Sequence, residues 1–275
     1  MTMRTMVGGA AVVVAALVLP ACQTVQTTQA GAVGVDRSQA MLVSSAEIEQ
    51  ASAEQYQQVI AAAREKHALN RDDTQLRRVR AIAARMIPQT TVFRPDAAKW
   101  QWEVNVLESD QLNAWCMAGG KIAFYSGLID KLALTDAEIA AIMGHEVAHA
   151  LREHSRERVS RAMATGMGVA IVSAALGIGQ AGNDLMGSLA KVTFELPNSR
   201  LHETEADRIG VELAARAGYD PHAAVGLWKK MAAVSKGSPP QFLSTHPSHD
   251  SRQKDLADYA ERVMPLYRQA RAGKP

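Results

Sequence analysis

At 275 residues, 47% hydrophobic and 21% charged, the chain has the composition of a globular protein and the length of one sizeable domain or two small ones. That balance excludes a disordered chain, and a formal net charge of +2 implies no nucleic-acid partner through bulk charge. Alanine-rich segments and an aromatic content of 5% favour a mostly helical fold.

The first residues are organised as a leader. Arg4 precedes Val7–Leu19, which is continuously apolar or small, and Leu19-Pro20-Ala21-Cys22 follows. A charged start, a short apolar core and a small residue before the cut describe a signal peptide over 1–21. The apolar run is short for a bilayer span. The Leu-Pro-Ala-Cys ending resembles a bacterial lipobox, in which Cys22 becomes the lipidated first residue of the mature chain. Gln23 after it implies sorting to the outer membrane, with the domain on its periplasmic face. With Cys22 acylated, Cys116 has no intrachain partner and a disulfide framework is excluded. Cys116 then reads as a small packed side chain.

Residues 22–45 are polar and small and read as a flexible tether, which leaves 46–275 as the folded domain. Ala46–Leu69 carries Ile48, Ala51, Tyr56, Val59 and Ile60 at loosely helical spacing. A second helix runs from near Asp72 to Met86, just before Pro88. Trp100–Leu107 alternates apolar and polar residues as a half-buried strand does. Gln111–Met117 and Lys121–Tyr125, divided by Gly119-Gly120, are two more short strands. A small sheet thus precedes Ala137–Arg152, a helix whose start is set by a capping box of Thr135 and Glu138.

That helix is expected to run on through Glu153 and His154, with Arg152–Arg161 forming a solvated face. Ala162–Gly179 is apolar, but Gly166, Gly168, Gly177 and Gly179 dilute it. A buried hairpin or membrane-apposed segment suits it better than a spanning helix. Arg200–Ala217 is helical and closed by Gly218. Asp220-Pro221 starts a helix to about Val234, Ser235–Pro240 is a loop, and Asp250–Arg271 is a last helix, interrupted or kinked at Pro265.

The chemistry centres on His145-Glu146-Val147-Ala148-His149. Two histidines four apart share a helix face, which lets two imidazole nitrogens reach one ion at about 2.0–2.1 Å. Glu146 projects beside the metal, free to take a proton from water activated there. A catalytic zinc usually has three protein ligands and an open position. The metzincin continuation needs glycine and histidine three and six residues beyond His149, where Arg152 and Ser155 stand, so it is excluded. His154, five beyond, falls off the ligand face and reads as a surface residue. The later helix offers Glu203 and Asp207, four apart on one face. One carboxylate there can bind zinc while the other orients a ligand histidine through its second ring nitrogen. Glu205 between them reads as an ordinary acidic face.

Four blocks carry a family resemblance: Asn113–Ile122, the HEVAH run, Leu196–Gly210, and Ser244-Thr245-His246-Pro247 with Arg252. In order and spacing they resemble the M48 peptidases, most closely a soluble bacterial branch related to the mitochondrial protease Oma1. Ala118 departs from a proline usual in that family, and Asn198 from a larger residue. The resemblance implies an α+β, mostly helical, zincin-type (gluzincin) domain with a small sheet before the metal helix, binding one zinc ion. It implies His145, His149 and Glu203 as ligands, Glu146 as base and Asp207 behind a ligand. It also implies that Asn113 aligns the peptide near a substrate-pairing edge strand, and that His246 and Arg252 steady the oxyanion across the cleft. A fixed cation such as Arg252 suits that role. His246 stays open between that role and filling the free zinc position at rest. His249 caps the last helix or faces solvent. The function expected is a zinc metalloendopeptidase acting on misfolded or misassembled envelope proteins. The rival is a periplasmic chaperone or outer-membrane assembly factor with minor proteolysis.

Overall fold

A computed structural model describes residues 23–164, 181–234, 241–247 and 251–273. The expected signal peptide and Cys22, nearly all of the Ala162–Gly179 stretch, the expected Ser235–Pro240 loop and His249 lie outside them. Among the described residues no helix is long and apolar enough to cross a membrane.

The expected tether over 22–45 is corrected by the structure. β1 (Gln23–Val25) pairs antiparallel with β2 (Gln39–Met41), and Val33, Val35, Met41 and Val43 are buried. Four apolar residues dispersed among small polar ones were enough to fold the segment down. At Gly31, φ +60°, it lies directly against the domain, where a Cβ would collide with Phe93 and Glu212. The Glu212 carboxylate accepts from the Val33 N–H at 2.9 Å.

α1 (Ser45–Glu65) opens with a capping box of Ser44 and Glu47, and α2 (Asp73–Met86) is capped by Asp72. They flank a three-stranded sheet of β3 (Glu103–Leu107), β4 (Ala114–Met117) and β5 (Lys121–Tyr125). The strand order is β3-β5-β4, with β3 parallel and β4 antiparallel to β5. β4 is therefore an edge. Side chains alternate between the faces: Val106, Cys116, Ile122 and Phe124 join the main core, while Leu107, Trp115, Met117 and Ala123 pack with Tyr56 and Ile60 of α1. The half-buried strand expected over Trp100–Leu107 is thus shorter and covered on both faces. Its Asn105 is buried, donating to the Tyr56 hydroxyl at 2.5 Å and accepting from Asn70 at 2.7 Å.

α3 (Ser126–Lys131) leads into α4 (Asp136–Leu151), which Thr135 and Glu138 cap as expected. α4 is buried from Glu138 to Leu151, as suits a helix apolar on nearly every side. α5 (His154–Ala164), α6 (Ala181–Phe194), α7 (Arg200–Arg216), α8 (Ala223–Val234), α9 (Gln241–Thr245) and α10 (Arg252–Ala272) complete the mostly helical α+β fold. α10 continues past Pro265 as one helix. The contact that places the site is α4 on α7. A Cβ on Gly144 would lie 2.6 Å from the Gly210 carbonyl oxygen, and one on Gly210 2.7 Å from the His145 nitrogen. Two facing glycines let the backbones touch, bringing the carboxylates of α7 under the histidines of α4.

Candidate metal centre

His145 and His149 stand one turn apart in the interior of α4, and Glu203 reaches them from the first turn of α7. His246, just past α9, is held by its N–H to the Phe242 carbonyl at 2.8 Å and by a stacked Phe242 ring. The four side chains are buried and their ligand atoms lie within 4.8 Å of one another. His145 Nε2 is 3.1 Å from His149 Nε2, 3.1 Å from His246 Nδ1 and 3.5 Å from Glu203 Oε2. Glu203 Oε1 is 3.4 Å from His149 Nε2 and 3.0 Å from His246 Nδ1. Four atoms bound tetrahedrally at the zinc distance of 2.0–2.1 Å are separated by about 3.3 Å, so the set has the size of a zinc site.

The protons agree with that fit. His145 Nδ1 meets Asp207 Oδ1 at 2.9 Å, and the carboxylate fixes the proton there. His145 Nε2 is then a bare lone pair aimed inward, beside the equally inward Nε2 of His149. Converging lone pairs beside a carboxylate form a cation site.

Charge and burial oppose each other throughout. Burial pushes the His149 imidazole well below its ordinary pKa. Burial would raise Glu203, but His246 and His145 hold it well below the carboxylate range. Burial would lower His246, but Glu203 and Glu146 raise it. Glu146 is raised, chiefly by burial. Its Oε1 has no hydrogen-bond partner and lies 3.5 Å from His246 Nε2. A buried, unengaged carboxylate oxygen beside a metal set is equipped to accept a proton.

Arg252 departs from its expected role. Its Nε and Nη2 lie 2.7 Å from the two oxygens of Asp207, its Nη1 lies 2.9 Å from Glu203 Oε2, and its guanidinium covers Trp228 at 3.5 Å. At 1% exposure it is spent on the carboxylates behind the ligands rather than directed at an oxyanion. Asn113 sits at the head of the edge strand β4, its Oδ1 accepting from the Ala114 N–H at 3.0 Å. The cleft beside the metal set is lined by Asn113, Trp115, Glu146, His149, Phe194 and His246.

The second support of the centre was missed. α4 ends at Leu151 instead of running on: Glu153 takes φ +50° and α5 starts at His154. That turn folds His154 back against His149, Nδ1 to Nδ1 at 2.8 Å, while its Nε2 meets Glu205 Oε2 at 3.0 Å. His154 is 1% exposed, and burial lowers its pKa to about 3, so the ring is neutral. Arg152, Arg156, Glu157 and Glu205, expected on solvated faces, are all buried. Glu205 pairs with Arg152 at 3.1 Å and with Arg37 of the N-terminal segment at 2.7 Å, and Arg37 reaches Glu157 at 2.9 Å. A glutamate in the left-handed region carries no sequence signal. Glu153 is kept there by Arg94, Arg156 and Ser45 at 2.7, 2.5 and 2.7 Å.

A family model described as Peptidase family M48 matches residues 73–260, a longer run than the four sequence blocks. The mitochondrial metalloendopeptidase OMA1 of Arabidopsis thaliana is 36% identical over 175 residues, 63% of this chain and 35% of the relative. OMA1 of Schizosaccharomyces pombe is 34% identical over 165 residues, 58% of this chain and 47% of the relative. The beta-barrel assembly-enhancing protease of Yersinia pestis is 32% identical over 185 residues, 63% of this chain and 37% of the relative. The chain spans roughly a third to a half of the length of these curated relatives.

Proposed function

The chain belongs to peptidase family M48, and from that premise we propose that it is a zinc-dependent metalloendopeptidase acting on misfolded or misassembled proteins of a bacterial envelope. The observation that carries this reading is Glu146, buried with Oε1 unengaged beside the group His145, His149, Glu203 and His246. When bound, zinc supplies Lewis acidity, polarising a carbonyl and lowering the pKa of water towards about 7. Glu146 takes the proton of the attacking water at Oε1 and later delivers it to the leaving amine. A substrate segment adds as a strand along β4, whose edge away from β5 carries no strand among the described residues and provides main-chain hydrogen bonds with little demand on sequence. Asn113, at the head of that strand, aligns the segment.

The envelope assignment draws on relatives named beta-barrel assembly-enhancing protease. It also draws on the leader, which makes Cys22 a lipid anchor at the periplasmic face of the outer membrane. One observation favours a latent enzyme with an assembly role alongside. His246 Nδ1 stands 3.1 Å from His145 Nε2 and 3.0 Å from Glu203 Oε1, so His246 would join the other three side chains in holding a zinc ion, and a substrate would have to displace it.

The test is Glu146→Gln in the mature full-length chain. The parent cleaves unfolded casein, and the variant retains one zinc per chain and cleaves none. Undiminished proteolysis by the variant overturns the mechanism. Complementation of a deletion strain by the same variant assigns the cellular role to assembly instead of cleavage. Envelope proteins trapped by the variant identify the substrates.

A further inference from the structure

The two ligand histidines of α4 are supported differently. His145 meets a carboxylate directly, whereas His149 meets the imidazole of His154. We propose that His154 is a positioning residue for the metal centre, setting the tautomer of His149 through a proton chain that ends on Glu205; this rests on reading the centre as a zinc site.

Glu205 is ion-paired with Arg152 and Arg37, so its carboxylate only accepts. His154 Nε2, 3.0 Å from that acceptor, therefore carries a proton and donates it to Glu205. A His149 Nε2 left free for the metal requires His154 Nδ1 to be the acceptor on the other side of the ring. Its Nδ1 is then bare, and one proton remains for the 2.8 Å gap to His149 Nδ1. That proton sits on His149, which leaves His149 Nε2 unprotonated and facing the metal set. The ring plane of His154 is fixed by stacking on His202, centroid to centroid 4.3 Å at 14°. One end of the chain reaches Arg37, ahead of the residues matched by the family model. The N-terminal segment thereby takes part in fixing a metal ligand.

The experiment compares zinc affinity, by competition with a chromophoric chelator, for the mature parent, His154→Ala, His154→Gln and Glu205→Gln. Losing an outer partner of a ligand histidine weakens metal binding about 10–100-fold, and that loss is expected of His154→Ala. Glutamine at 154 offers a carbonyl to the same N–H, and is expected to bind zinc within about threefold of the parent. In the zinc-free proteins, nitrogen-15 spectra are expected to show His149 as a single Nδ1–H tautomer in the parent and as a mixture in Glu205→Gln. Zinc affinity in His154→Ala within about twofold of the parent, or no rescue by glutamine, overturns the proposal. Should His154→Ala not fold, an unchanged His149 tautomer in Glu205→Gln overturns it alone. A parent that binds no zinc overturns the metal centre itself, which is a separate failure.

Discussion

The centre has two flanks that perform one task by different means. On the His145 flank a single residue intervenes between the histidine and a buried arginine: Asp207 accepts from His145, and Arg252 closes on Asp207 and Glu203. On the His149 flank two residues intervene, His154 and Glu205, and the charge is shared by Arg152 and the 28% exposed Arg37. The first flank rests on one fully buried cation. The second distributes its load over several groups, one of them in a segment remote in sequence. The short flank should therefore be rigid and intolerant of change, and the long flank graded.

Arg252→Ala sets the upper end of that contrast. It leaves Asp207 and Glu203 as buried carboxylates without their cation, and breaking such a pair typically costs about 3–5 kcal/mol. Urea unfolding of the zinc-free protein measures it. Gly144→Ala comes next, because it forces α4 from the Gly210 backbone and disturbs both flanks together. Overpacking of this kind costs about 1–3 kcal/mol, and weaker zinc binding should accompany the loss. Arg37→Ala is expected to cost about 1 kcal/mol, since Glu205 keeps Arg152 and the exposed part of the pair is screened. An Arg37→Ala loss equal to that of Arg252→Ala would erase the distinction between the flanks.

The smallest effect is a pH dependence read at one carboxylate of the long flank. Burial would raise the Glu157 carboxyl, but the neighbouring His202 and the hydrogen bonds from Arg37 and Gln39 hold it well below its ordinary value of 4.5. A folded-state pKa below the unfolded one stabilises fully above 4.5 and less as pH falls below it. Glu157→Gln removes that term, so its melting temperature should decline less steeply than the parent's below pH 4.5. A parallel decline would place the acid sensitivity elsewhere.

What was legible in the sequence follows the same division. His145, His149, Glu203 and Asp207 announce themselves because four-residue spacing on a helix is a direct statement about geometry. The Thr135–Glu138 cap and the strand Lys121–Tyr125 were equally local and appear where expected. The His149 flank depends on a helix break at Glu153, where no glycine or proline marks the left-handed turn. A continuous helix would carry His154 away from His149, so spacing alone misplaced it. Arg37 and Gln39 were hidden for a different reason: they belong to a segment whose small polar composition resembles a tether. Arg252 was identified as a fixed cation, but the carboxylates that consume it lie 45 and 49 residues away, beyond any local pattern.

The measurement that bears most directly on the centre is casein cleavage before and after zinc removal. The protein is stripped with a chelator, dialysed and titrated with zinc. Cleavage should disappear in the stripped protein and return in proportion to zinc, reaching its full rate at one ion per chain. Cleavage that persists without zinc, or that fails to return when the ion is bound, would contradict this centre as the seat of activity.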